Sequence, residues 1–270
     1  MPTLELTAAQ VADTTPPMTP TWRAWGRALA LAAAITFALT TVLAVLDALN
    51  ITTPAISIAD DTPLPQRMEA ILQNQSQRFP WILAGTLVAI VSFAALAALG
   101  PVVRRFVAAR DPRGSVVVGA FAIGGLLGIA GELAFLGGQA VASNPHYCQC
   151  EFADPQVIAR GEVLDLVNSM QTWMIWGVLI FFAIGLIAAS GRGDEAPESP
   201  RAWLAMSRWL GVVMVAVAIF FVGLAPLADA LRWDIDAGTI SGVLSLIVLL
   251  VLVPWWALWL RRLLAAEPGG

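Results

Sequence analysis

Two groups of side chains in this 270-residue chain have the types and spacing to do chemistry. The first is a lone carboxylate. Glu132 is the only charged residue between Gly114 and Ala142. A charge in such a setting is expensive unless it faces other protein, so a carboxyl there either carries a proton or cation or serves as a buried hydrogen-bonding group. Its neighbours favour a protein-facing position. Gly125 and Gly128 share its helical face, and Gly124, Gly128 and Gly131 form an overlapping strip of small residues that lets another helix approach closely. Gln139 continues the face of Glu132 two turns further on.

Other apolar runs hold polar residues at helical spacing: Thr36, Thr40 and Asp47; Glu162, Asp165, Ser169 and Thr172; Ser241 and Ser245; and Asp229 shortly after Pro226. Two readings follow. In one, these groups converge on a water-filled acidic vestibule ending at Glu132, and Glu132, Gln139, Asp47, Asp165 and Asp229 form an intramembrane polar or proton site. In the other, Glu132 is a structural carboxyl bonded to a neighbouring helix, and the rest merely end their helices.

The second group is His146, Cys148 and Cys150, within Asn144-Pro-His-Tyr-Cys-Gln-Cys-Glu151. Imidazole and two thiolates suit zinc or copper, with Glu151 as a fourth ligand. The same cysteines could instead form a disulfide within or between chains, or remain free thiols. A bridge between Cys148 and Cys150 would close a small, strained ring. Enzymatic chemistry finds little else to work with. One histidine excludes an H-E-x-x-H helix and a bis-histidine haem pair, and there is no lysine for a Schiff base or a phosphate loop. No enzyme activity, cofactor, nucleotide or nucleic-acid partner is expected, and no motif singles out a family.

These groups lie in a chain built for lipid. It is 58 % hydrophobic and 13 % charged, with a mean hydropathy of +0.76, whereas soluble chains run at about 45–50 % and about 25 %. All 15 basic residues are arginine, the net charge is -4 and the pI is near 5.0, so no basic patch exists for a phosphate backbone. Charge-free runs of 19, 25, 18, 26, 20 and 24 residues begin at Ala28, Phe79, Gly114, Leu166, Trp209 and Ala237. About 20 apolar residues cross a bilayer core as a helix, and strands of a membrane barrel would alternate in polarity. The expected fold is therefore an all-α bundle of six transmembrane helices, with spans at about 26–49, 80–103, 115–142, 166–190, 207–230 and 238–261. A disordered tail at 1–22 precedes the membrane domain at 23–264, and a short tail follows at 265–270.

Arginine placement sets the orientation. Arg23, Arg27, Arg104, Arg105, Arg110, Arg113, Arg192, Arg201, Arg208, Arg261 and Arg262 fall on one side, against Arg67, Arg78, Arg160 and Arg232 on the other. Both termini are thus expected in the cytoplasm. The opposite side is acidic, with Asp60, Asp61, Glu69, Glu151, Asp154, Glu162, Asp165, Asp234 and Asp236. On that side Met68, Ile71, Leu72 and Phe79 recur at helical spacing, which predicts a short amphipathic helix stopped by Pro80, lying among lipid headgroups or packed on the rim of the bundle. Asp154-Pro155 is a helix start expected to run straight into the fourth span. Trp22, Trp25 and the Trp255-Trp256-Trp259 group fit an interfacial belt, and Trp173 and Trp176 fit it less well. The Arg-Ala-Trp triplet at 23–25 and 201–203 is too short to establish an internal repeat.

Arginine-only basicity and heavy use of Ala, Gly, Leu and Val suggest a high-GC bacterial source, and hence the bacterial inner (plasma) membrane. Two functions are compatible with these features. One is a non-catalytic accessory, assembly or sensing subunit that presents acidic outer loops to a partner or ligand, or to another copy of itself. The other is a small proton- or cation-coupled permease or channel working through Glu132.

Overall fold

The computed structural model of the chain describes residues 18–49, 51–52, 57–59, 61–106, 111–143, 154–191, 201–231, 244 and 247–266. Among them the regular elements are all helical. They are α1 (Pro20–Ala48), α2 (Leu64–Arg104), α3 (Arg113–Ser143), α4 (Asp154–Ala189), α5 (Arg201–Leu231) and a π-helical turn (Val248–Leu252) that leads into α6 (Val253–Ala265). Helices α1 to α5 are long and apolar enough to cross a membrane, which marks a multi-pass membrane protein. The first five expected spans lie on these helices and match their C-terminal ends to within a residue, but every helix begins earlier than expected, α2 and α4 by more than ten residues and α1 at Pro20, inside the expected tail. The expected sixth span is described only at residue 244 and from residue 247 onward.

Local sequence accounts for the helix ends and irregularities. The Asp111 carboxylate accepts the Arg113 backbone N–H at 2.9 Å and its Nε–H at 2.7 Å, with Pro112 between them, so Asp111-Pro112 opens α3 much as Asp154-Pro155 opens α4. In the π turn, the Val253 N–H bonds back to the carbonyl of Val248, one residue further than an α-helix would reach. Pro254 follows and has no N–H to give, so the helix changes pitch where its ladder is already broken.

One expectation is corrected here. Pro80 does not stop a separate amphipathic helix; it lies inside α2, which runs unbroken for 41 residues. Pro80 withholds a donor only from the carbonyl of Ser76. It is exposed and lies about 36 Å along the helix from Arg104, beyond a hydrocarbon core of about 30 Å. Water can serve that carbonyl, so continuing the helix costs little. The apolar residues of this segment pack on the rim of the bundle. Leu72 is buried against Val157 and Leu164 of α4, flanked by Met68 and Ile71. Gly161 makes room, since a Cβ there would stand 2.8 Å from the Met68 sulfur.

The helices pack antiparallel in chain order. α3 lies between α2 and α4, α1 lies against α2 and α6, and α5 lies against α4. Glycines set the spacing around α3. A Cβ on Gly125 would come within 2.5 Å of Ala97 Cβ and 2.8 Å of the Phe93 carbonyl oxygen, and one on Gly128 within 2.4 Å of the Phe93 ring. Towards α4, Gly131 would meet Met174 at 3.0 Å and Gly138 would meet Val167 at 2.3 Å. The two expected glycine strips thus face two different helices.

The arginine-rich end is closed by aromatic rings. Trp203 of α5 stacks on Trp256 of α6 with centroids 5.6 Å apart, and Trp256 lies 6.2 Å from Phe121, which meets Phe182 edge to face at 5.2 Å. Trp256 Nε1–H donates to Ser207 Oγ at 2.9 Å, and that hydroxyl donates to the Trp203 carbonyl at 2.9 Å. Trp256 is therefore a core residue (1 % exposed) and leaves the expected belt, whereas Trp255 stays outside at 54 %. The two Arg-Ala-Trp triplets also part company: Trp25 is 63 % exposed and Trp203 fully buried. Arg23 Nη1 donates to the Ala266 carbonyl at 2.9 Å and ties the two described ends of the chain together.

Adding one methyl at Gly128 tests the seam. Gly128→Ala should destabilise the protein by about 1–3 kcal/mol through overpacking against Phe93, whereas Gly119→Ala, with nothing within 4 Å, should not. Reversible unfolding in mixed micelles reads the difference. A second prediction concerns pH. The Arg113 side chain, and then its backbone N–H, hold the Asp111 carboxyl below its ordinary value of 3.8. A depressed folded value stabilises above the unfolded value and is lost as pH falls through the folded one. Hydrogen exchange at the first amides of α3, corrected for intrinsic rates, should therefore be pH-independent above 3.8 and accelerate below it. Asp111→Asn should abolish that step.

Candidate functional site

The buried polar centre forms where α2, α3 and α4 meet. Glu132 on α3 is 7 % exposed. Gln171 Nε2–H of α4 donates to its Oε1 at 3.1 Å, and the hydroxyl of Thr86 on α2, itself 3 % exposed, donates to the same carboxyl. The three residues meet because they share a depth. Each lies roughly 27–28 Å, at 1.5 Å per residue, from the arginine-rich end of its own antiparallel helix. The glycine contacts of α3 bring its backbone close enough for one short side chain to reach donors on both neighbours.

The same packing closes the seam around the carboxyl. Phe93 covers Gly128 on the side of the arginine-rich end, Met174 covers Gly131, and Val167 covers Gly138 on the opposite side. Gln139, 2 % exposed, continues the buried face outward. Inward, the buried Ser92 hydroxyl is turned back onto the Val88 carbonyl of its own helix at 2.9 Å.

The other expected members that the structure describes lie elsewhere. Glu162, Asp165, Ser169 and Thr172 all fall on the exposed face of α4, and Thr172 donates to the Asn168 carbonyl at 2.9 Å. The α4 stripe therefore does not descend to Glu132; Gln171, beside that stripe, is the residue that does. On α1, Thr36 and Thr40 donate to the carbonyls of Ala32 and Thr36 at 2.7 and 3.0 Å, within their own helix. Asp47 and Asp229 belong to α1 and α5, and their side chains lie outside the described residues. His146, Cys148, Cys150, Ser241 and Ser245 also lie outside them. Among the described residues, no group of three His, Cys, Asp or Glu could hold a metal ion.

Gln171 and Thr86 were not singled out from the sequence. The signal was present: a lone buried carboxyl requires donors, and these two residues fall at its depth on adjacent helices. Chemically the centre offers a carboxyl, an amide and a hydroxyl, joined by hydrogen bonds across three helices. No protein-family model, no curated protein and no solved structure matches the chain.

If the centre is a clamp between helices, its members should be energetically coupled. Gln171→Leu should destabilise by about 1–3 kcal/mol by leaving the carboxyl short of a donor. A double-mutant cycle with Glu132→Ala should return a coupling of about 0.5–2 kcal/mol, the range of interhelical polar contacts in membranes. Asp165→Asn, on the exposed face, should change stability by less than about 0.5 kcal/mol.

Proposed function

We propose that this chain is a non-catalytic multi-pass subunit that works by association: it presents a helical surface at the end opposite the arginines to a partner or ligand. The observation that carries this reading is the extension of α2 and α4. At 41 and 36 residues they run roughly 60 and 54 Å, against about 40–45 Å for a whole bilayer with its headgroups. The extensions pack on one another through Leu72, Val157 and Leu164 and carry Glu69, Glu162 and Asp165 exposed on their surface, alongside Arg67, Arg78 and Arg160. A paired, charged projection of this kind is pre-ordered for recognition. With the arginine-rich end in the cytoplasm of a bacterial cell, the projection stands outside the inner membrane.

The closure of the Glu132 centre supports the same reading. A proton or cation carrier needs access from both sides, and here the carboxyl is committed to two donors, with Phe93 packed on Gly128 one turn nearer the arginine-rich end. The test joins two measurements. Native mass spectrometry of the gently extracted protein should show a second polypeptide at fixed stoichiometry, reduced when Glu162 and Asp165 are both changed to Arg. Proteoliposomes of the purified chain should show no proton or cation flux. Flux in the wild type that disappears in Glu132→Gln would overturn the reading in favour of a permease or channel.

A further inference from the structure

α6 stands at the other end of the molecule, the arginine-rich one, and presents two different faces. α6 buries Trp256, Ala257, Leu260 and Leu264 in the bundle. Its opposite face carries Trp255, Leu258, Trp259, Arg262 and Leu263, which line a groove of about 390 Å³. The groove is shallow and open along one side, so it would hold an occupant against the helix rather than enclose it. The indoles of Trp255 and Trp259 are 6.0 Å apart and tilted by 39°, so they form two walls rather than one flat plate.

The groove is polarised along its length. Its apolar end, at Trp255, lies about 10 Å deeper along the helix than its cationic end, at Arg262. Arg262 belongs to the arginine-rich end, where the described carboxylate, Asp111, is already taken by Arg113. Among the described residues no ion pair involves Arg262. An occupant must therefore be anionic at the level of the membrane interface and apolar below it. Tryptophan and arginine favour that interface, and basic pockets on transmembrane helices recognise anionic headgroups there.

We propose that this groove is a binding site for one anionic phospholipid, its phosphate on Arg262 and the start of an acyl chain against Trp255, Leu258 and Trp259. The proposal does not depend on the function proposed above.

The test places the protein in nanodiscs of mixed phosphatidylglycerol and phosphatidylcholine and counts retained lipid by native mass spectrometry. One phosphatidylglycerol should be retained in preference to phosphatidylcholine. Arg262→Gln should weaken that retention about five-fold, the worth of one arginine at an anionic surface, and Trp255→Ala should also weaken it. Arg201→Gln, an exposed arginine of the same end but outside the groove, should leave it unchanged. Equal retention of the two lipids overturns the proposal, and this comparison needs no variant. An Arg201→Gln loss as large as that of Arg262→Gln also overturns it, because diffuse surface charge would then explain the binding.

Discussion

Helices inside a bilayer gain little from hiding apolar surface from one another, because lipid tails are as apolar as leucine. Close van der Waals packing and interhelical hydrogen bonds must hold them together. In this protein both depend on the glycines of α3. Gly125 and Gly128 admit α2, and Gly131 and Gly138 admit α4, at separations where even a methyl group would collide. Close backbones shorten the reach required of the side chains. Glu132 can therefore bond Thr86 on one helix and Gln171 on the other, and a residue that would be a liability in lipid becomes a tie among three helices. The order of cause runs from the small residues to the helix spacing, and from the spacing to the satisfied carboxyl.

The arginine-rich end is held by a different device. Helices α5 and α6 touch only lightly, and large rings span the interval between them. The stacked Trp203 and Trp256 are fixed in register by the Ser207 hydroxyl, which accepts from one indole while donating to the backbone of the other residue's helix. Phe121 and Phe182 carry the contact into α3 and α4. Rings suit this task because each supplies a large contact area with few rotatable bonds. The arginine-rich end thus adds large rings to glycine contacts of its own, with Gly100 and Gly185 both closing on Phe121.

This packing explains what could be read in advance. The spanning helices were legible because lipid imposes a simple rule, about 20 apolar residues without charge, and the runs at Ala28, Phe79, Gly114, Leu166 and Trp209 obey it. The protein-facing position of Glu132 was legible because burying a charge in lipid costs more than burying it in protein. Its partners were not. Spacing along one helix says which residues share a face, but not which faces meet, so the stripe from Glu162 to Thr172 looked as suitable as Gln171. What distinguishes them is the face of α4: Gln171 turns toward α3, whereas Thr172, at nearly the same depth, is exposed. The passage of α2 through Pro80 was hidden for a related reason. The cost of a proline depends on whether water reaches the freed carbonyl, and that depends on where the bilayer ends.

The same geometry bears on how the molecule could act. Between the Glu132 centre and the arginine-rich end the interior holds Phe93, Leu96, Leu99, Phe121, Leu179 and Phe182, all buried. The buried hydroxyls described toward that end are Ser92, bonded to its own helix, and Ser207, held between the Trp203 carbonyl and the Trp256 indole. Among the described residues, a proton leaving Glu132 in that direction would meet no continuous chain of side-chain donors and acceptors, and a cation would lose its hydration with few ligands to replace it. Opening such a path would mean separating α3 from α2 or α4 and forfeiting the contacts that assemble the bundle. A molecule whose polar centre is also its structural tie is poorly suited to cycling that centre between two solvents. Exposed charged features lie instead at its two ends: the α2–α4 projection on one side, and the arginine and tryptophan surface of α6 on the other. Both are carried by helices packed into the bundle, as the proposed role of a subunit that is held in place and recognised would require.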